Sequence, residues 1–567
     1  MKYLEFLFDK CFAGLLFILI PCTLLFSEIY SCNNYFINLI LSVLIILLCI
    51  KNIIKKEVLQ INLLDMIFLL LACLSAISSI IKNHQLQNIV YLSLLLYWGI
   101  FVLAKPFIQK INFSFYLFFA VIVSNLYVLF RIGINLMSGH DFIPYIEKHF
   151  ANIGICAIFL AISSIQLLNR VYFSKRKIEL ILLPIILMNL VLVVYLKSRI
   201  SFFLIGVYLL ILILKKIQIQ SNIWKSIIFV VAACSFFLIL FTCTKKASSE
   251  GRMFILKISA SLIRNNILTG TGGFNSFPLN YPEYQADYFA SGSGTEQDIM
   301  LADNTKYALN EPVQFISELG IIGFSLILLL ARIIFLIRYE NHFVRHLFFC
   351  LLFVSCFYYI FHITVFQVIL FLFILFVSSK EMIIFKLNLP CSIAGSLIVL
   401  LLSTNMVYFT QSQFIHSLKM EKRISQGSEL IDKQNILQIY FRDNPVFLTF
   451  YVYELFYKRK YTECLEILKL IDKICIHSDF EQLKGRIYLQ TGNPEDAEKY
   501  FIRACNICPN RFGYKYDLFK YYLENNQIDL AKDEALKIHN LKEKIPSPYT
   551  LAIKLEIERF LEENDDI

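Results

Sequence analysis

A chain of 567 residues that is 57% hydrophobic, carries 53 Phe and has only 17% charged residues is too apolar for an ordinary soluble domain. The net charge of +10 does not point to a nucleic-acid partner, because the basic residues fall mostly between apolar runs, where the positive-inside rule expects them in a membrane protein. The 15 cysteines form no metal-like pairs and lie mostly within apolar runs, where a thiol behaves as a small hydrophobe.

A crossing needs about 20 apolar residues. Stretches near 11–30, 35–50, 61–81, 89–104, 113–133, 152–168, 179–196, 201–214, 226–243, 313–337, 347–361, 364–379 and 391–410 qualify, giving about 13 transmembrane helices. The first lacks a small-residue cleavage site and reads as a retained helix. With a cytoplasmic N-terminus, the connections KNIIKKE, KPFIQK, NRVYFSKRK, KKIQIQSNIWK, RYENHFVRH and SSKEMIIFK all fall inside, and each is basic. An odd number of spans then exports both the long polar loop 244–312 and the C-terminus.

That loop interrupts the membrane part, residues 1–410. It begins with GRMFILKISASLIRNN, where Phe254, Ile255, Ile258 and Leu262 share one side and Arg252, Lys257 and Arg264 lie between them, the pattern of a basic amphipathic helix on a membrane surface. TGTGGFNSF follows as a glycine turn. A Tyr- and Ser-rich segment then leads to NTKYALNEPVQFISELGIIG, where the apolar sequence resumes.

From about residue 411 the apolar runs shorten and Lys and Glu become frequent, which marks residues 411–567 as a soluble helical domain. Gly485, Tyr488, Ala497, Phe501, Ala504 and Pro509 stand at the spacing of a tetratricopeptide repeat (TPR), whose period is about 34 residues. Leu518, Tyr522, Ala531 and Ala535 repeat the pattern weakly, and YTECLEILKLI, with Cys464 in the small-residue slot, suggests an earlier unit. Cys505 and Cys508 read as packing or semi-exposed thiols rather than a redox site. The expected fold class is therefore all-α, a polytopic membrane helix bundle followed by a TPR-like solenoid.

The elements GR at 251–252, LTGTGGFNSF, and N-x-x-x-Q-x-x-x-E-x-G-x-x-G over 310–323, together with HFANIGICAIFLAISS and LKSRISFFLIGVYLL upstream, resemble the signature region of the O-antigen ligase and polymerase superfamily. The resemblance covers about residues 60–380. It implies a multi-pass protein of the bacterial inner membrane that moves a glycan from undecaprenyl diphosphate at the periplasmic face, with membrane lipid around it, no cofactor and no required metal. The acceptor is lipid A-core or a protein Ser/Thr hydroxyl in a ligase, and another lipid-linked glycan in a polymerase, the alternative reading.

Arg199 and Arg252 match arginines of the family pattern and are the expected diphosphate ligands, since charge-assisted hydrogen bonds hold a diphosphate and stabilise it as it leaves. The competing reading is that both merely reach for the interface. The family commonly supplies its base as a His before the motif Asn, and here that position is Leu309, which cannot accept a proton. Glu311 is the expected substitute, with His140 and His149 as other bases. Otherwise Glu311 is a solvated residue suited to a helix start. Asn310 orders the motif. Glu318 shares a helix face with Gln314 and has either a direct or a hydrogen-bonding role. The missing His also supports a non-catalytic scaffold that docks a partner protein through its repeats.

Overall fold

A computed structural model describes residues 2–25, 33–82, 88–173, 177–216, 246–337, 342–380, 383–426, 445–544 and 546–564. It is almost entirely helical. The membrane part contains α1 (Lys2–Leu25), α2 (Asn33–Lys55), α3 (Leu63–Ile81), α4 (Asn88–Ile108), α5 (Phe113–Met137), the short α6 (Ile143–Phe150), α7 (Ile153–Phe173), α8 (Leu183–Tyr195) and α9 (Arg199–Lys216). The loop region holds α10 (Lys246–Asn265), α11 (Phe277–Ala290) and α12 (Glu296–Leu301), and α13 (Glu311–Leu336), α14 (His342–Ser355), α15 (Thr364–Lys380) and α16 (Leu389–Gln426) complete the bundle. Among the described residues six helices are long and apolar enough to cross a membrane, and six further apolar helices are shorter. The expected span at 226–243 lies outside the described residues.

Apolar side chains from most of the bundle helices, such as Phe12, Leu64, Phe101, Phe159, Phe366 and Phe373, form one continuous buried core. Outward-facing Leu70, Phe130, Val191 and Leu401 remain exposed, as lipid-facing positions must when no hydrophobic force separates tail from side chain. Two details depart from the sequence expectation. The span expected over 347–361 ends at Ser355, and residues 356–363 form an irregular turn with a single 3-10 turn at Ile360–His362. The basic connection around SSKEMIIFK contains a strand, β2 (Ile383–Lys386), paired antiparallel with β1 (Gln60–Asn62).

The strand pair marks one end of the bundle. There the buried Lys105 ammonium meets the buried Asp65 carboxylate, which also accepts from Ser378 Oγ at 2.8 Å, and Asn62 closes a capping box on α3. The other end of α3 touches the polar loop, where Ser79 donates to Gly272 O and Ser75 Oγ accepts from Phe274 N. The connections at 51–57, 105–110 and 378–386 and the polar loop therefore lie at opposite ends of α3.

Residues 445–564 form successive helices: α17 (Pro445–Tyr457), α18 (Tyr461–Ile471), α19 (Ser478–Gln490), α20 (Pro494–Ile507), α21 (Phe512–Glu524), α22 (Ile528–His539) and α23 (Pro548–Asn564). Each packs on its chain neighbour. The small residues sit where helices approach closely: Ala497, Ala504, Ala531 and Ala535 are fully buried, and a Cβ on Gly485 would strike the Phe501 ring. Cys505 and Cys508 are buried, and burial pushes each thiol up to about 12, so neither is a ready thiolate.

These helices rest on the polar loop. Ile476 N donates to Pro278 O, Gln285 Nε2 donates to Ile507 O at 2.5 Å, and Asn510 Nδ2 donates to Ala302 O at 2.7 Å. Asn304 pairs with Ser478, and Arg503 with Glu283. Loop and C-terminal helices thus share one face of the bundle.

Candidate functional site

The two glycine-containing motifs form one structure. Inside α13 the helix breaks at Gly320, whose φ of 65° and ψ of −173° belong to a region essentially reserved for glycine. The break opens the helix backbone to the turn after α10. Thr271 N donates to Ser317 O at 2.9 Å, Gly273 N to Glu318 O at 3.0 Å, and Ile321 N to Ile267 O at 2.8 Å. Gly270 and Gly320 face each other so closely that a Cβ on either would collide with backbone atoms of the other segment. The spacing TGTGG and ELGIIG is therefore a requirement of backbone pairing between a turn and a broken helix.

The apolar side of α10 does not lie free against a membrane. Phe254 and Ile258 are buried against Phe277 and Tyr281 of α11 and against Ala302 and Ala308. The amphipathic pattern expected of a surface helix was spent on folding the loop. Lys257 contacts Tyr288 Oη at 2.6 Å and Asp298 at 3.2 Å, both within the loop, while Lys82 reaches Asn266.

A cavity of about 600 Å³ opens between the start of α7, the start of α9, α10, residues 308–310 and the irregular turn 356–358. Arg199, Arg252, Leu309 and Asn310 all line it. Four residues singled out from three separate stretches of sequence thus share one space. Arg199 Nη1 reaches Ser249 Oγ at 3.4 Å, while its Nη2 is buried and, among the described residues, has no hydrogen-bond partner. Arg252 is held by a bond from Nη1 to Phe357 O at 2.8 Å and by the Tyr358 ring, whose centroid lies 4.6 Å from the guanidinium carbon. Such packing fixes a planar cation without neutralising it.

Asn310 is the N-cap of α13: Oδ1 accepts from Val313 N at 3.0 Å, while Nδ2 donates to Cys356 O at 2.7 Å. It joins the two segments of the cavity wall. Leu309 takes a left-handed φ of 55° and gives the wall an apolar surface where the family resemblance expects a base.

Glu311 is placed otherwise than either sequence reading supposed. It is fully buried rather than solvated, and it does not line the cavity. Its Oε1 accepts from Phe361 N at 2.6 Å, and Oε2 lies 3.4 Å from His362 Nδ1. Gln314 Nε2 lies 3.0 Å from His362 Nε2 and 3.1 Å from Glu318 Oε1, and its Oε1 accepts from Ala308 N at 3.1 Å. Glu318 is also fully buried and lies 3.4 Å from Phe277 N. Glu311, Gln314, Glu318 and His362 therefore form a buried polar cluster behind the wall. Burial works against the His362 imidazolium, but the Glu311 and Glu318 charges outweigh it and raise its pKa.

His362 was not anticipated, although an ionisable residue between two apolar stretches is itself a signal of an inward-facing group. His149, on α6, is turned to its own helix: Nδ1 lies 2.7 Å from Tyr145 O. His140 is exposed, and neither histidine lines the cavity. Glu147, on the same helix as His149, does line it, and sequence reasoning missed it because α6 reads only as part of an outward loop. Among the described residues no group of His, Cys, Asp and Glu has the arrangement of a metal site.

A helical membrane bundle with a cavity lined by Arg199 and Arg252 beside a polar loop defines the class: a multi-span membrane protein with basic side chains in a surface cavity. Residues 183–328 match the O-antigen ligase family, a stretch that contains Arg199, Arg252, the glycine turn and α13 as far as Leu328. That match supports the O-antigen ligase superfamily, a glycosyltransferase-like family whose members act on lipid-linked glycans. No curated protein and no solved structure matches the chain.

Proposed function

We propose that the protein transfers an oligo- or polysaccharide from undecaprenyl diphosphate to an acceptor hydroxyl, lipid A-core or protein Ser/Thr, at the periplasmic face of a bacterial inner membrane. The observation that carries this reading is the pair of arginines in one cavity, with Arg199 Nη2 buried and, among the described residues, unengaged. A guanidinium offers paired donors that match phosphate oxygens. In the reaction the acceptor oxygen bonds to the anomeric carbon, the bond from that carbon to the phosphate oxygen breaks, and the electron pair departs on the diphosphate. Arg199 and Arg252 stabilise the negative charge that develops there. Asn310 holds the wall in register, while Glu311 and Glu318 support it from behind through Gln314 and His362.

The basic connections, cytoplasmic under the positive-inside rule, support the exported side for the loop and the TPR-like helices. The exported helices between residues 445 and 564 then present a helical surface beside the cavity. A polymerase differs only in using a second lipid-linked glycan as acceptor. A non-catalytic scaffold is favoured by one observation, the leucine at position 309. Full-length protein in lipid vesicles, given labelled undecaprenyl diphosphate oligosaccharide with lipid A-core, a Ser/Thr peptide or unlabelled donor, separates the three. Label on lipid A-core or peptide identifies a ligase and lengthened donor a polymerase; absence of any product with donor still bound identifies the scaffold.

A further inference from the structure

We propose that Glu147 is the base that accepts the proton of the acceptor hydroxyl, an inference that rests on the glycosyl-transfer reading above. Once Leu309 lines the wall and Glu311 turns inward to Phe361 N, proton acceptance must come from another group that reaches the cavity. Among the residues lining it, Glu147 is the one carboxylate, and it shares the space with Arg199 and Arg252. Its side chain is exposed, and among the described residues no hydrogen bond or ion pair engages it. A carboxylate committed to either arginine would be unavailable; this one is not so committed.

The backbone beneath it is well held. In α6, Phe142, Tyr145, Ile146 and Phe150 bury their side chains in the bundle core, which leaves Glu147 on the outer side of the helix. The chain then turns through Ala151, with a left-handed φ of 56°, into α7. Glu147 is thus carried on a rigid support while its own carboxylate faces open volume, as a group that must meet an incoming substrate requires.

The step balances without any co-reactant. The acceptor O–H proton passes to the Glu147 carboxylate as the oxygen bonds to the anomeric carbon, and the glycosidic electron pair leaves on the diphosphate. The protonated acid then returns its proton to water. Tyr358 and Cys356 also line the cavity, but an un-ionised phenol or thiol is a poorer proton acceptor than a carboxylate.

The test compares the wild-type chain with Glu147→Gln and Glu147→Asp in vesicles, using labelled undecaprenyl diphosphate oligosaccharide as donor and measuring donor binding separately. A positioned base contributes on the order of 100-fold or more, so Glu147→Gln should lower kcat by that order with unchanged donor affinity, and Asp should restore part of it. The deficit should shrink with a more acidic surrogate hydroxyl, trifluoroethanol against ethanol, because such an acceptor depends less on the base. Wild-type turnover that survives Glu147→Gln overturns the assignment and leaves glycosyl transfer standing. Loss of donor binding in that variant also overturns it, by placing Glu147 at the donor. An inactive wild type overturns both readings.

Discussion

Replacing Gly320 by alanine tests whether the two motif segments are one structure. The backbone there, φ 65° and ψ −173°, costs a residue with a Cβ about 1–3 kcal/mol. The new methyl would meet Leu268 O and Gly270 N, which are backbone atoms and cannot rotate away. Relief requires parting the turn from α13, which endangers the bonds from Thr271 N, Gly273 N and Ile321 N, each worth about 0.5–1.5 kcal/mol. Together the loss comes to about 3–7 kcal/mol, a large share of the roughly 5–15 kcal/mol of a folded protein. Gly292 supplies the control, since it also has a positive φ, 71°, but nothing stands near its missing Cβ, so Gly292→Ala should cost only about 1–2 kcal/mol. The fraction of protein that stays monodisperse in detergent after graded heating measures both. Equal losses in the two variants would refute the claim that close approach, rather than φ alone, dictates glycine at 320.

Arg252→Ala should abolish most transfer at unchanged abundance, since a hydrogen bond to a charged group is worth about 1.5–3 kcal/mol, and Arg252→Lys should rescue poorly because it lacks the planar fork; normal turnover of labelled donor by Arg252→Ala counts against a diphosphate role. Asp65→Ala leaves the Lys105 ammonium buried without its carboxylate partner and should cost about 3–5 kcal/mol, read as membrane abundance, whereas Asp65→Ala with Lys105→Met should recover much of it. An alkaline phosphatase joined after Ile567 should be active, because the C-terminal helices share a face with the polar loop, away from the basic connections at 51–57, 105–110 and 378–386; an inactive fusion reverses the orientation.

The parts of the fold that follow from periodicity and apolar length were legible from residues alone. The helices α3 to α5, α7 to α9 and α13 to α16 lie close to the stretches chosen for apolar length, and the cavity gathers Arg199, Arg252 and Asn310 from three of the quoted motifs. What was misread depended on partners distant in the chain. Nothing local to Phe254 and Ile258 says that Phe277 and Tyr281 will cover them, so an amphipathic face intended for the loop interior resembles one intended for lipid. Glu311 was misplaced for a similar reason: a carboxylate at a helix start is normally solvated, and only the return of the chain at Phe361 and His362 buries it. β1 and β2 are separated by more than three hundred positions, and their short, mixed sequences carry no alternation strong enough to reveal the pair.

The position of the C-terminal helices bears directly on the cavity. Asn510 holds Met300 O and Ala302 O, Gln285 bridges Asp303 O and Ile507 O, and Asn304 is bonded to Ser478. A few residues later the same segment is held at Ala308 N by Gln314, and Leu309 and Asn310 then enter the cavity wall. The segment 302–310 is therefore fixed at one end by the helical hairpins and at the other by the buried cluster of α13. Removing the hairpins would take away the Ile507 acceptor of the buried Gln285 and the Asn510 donor to Ala302 O, and so release one anchor of the wall. Support of the cavity and recruitment of an acceptor are consequently not exclusive roles. The same contacts that would carry a docked partner toward Arg199 and Arg252 also set the geometry of the wall it would meet.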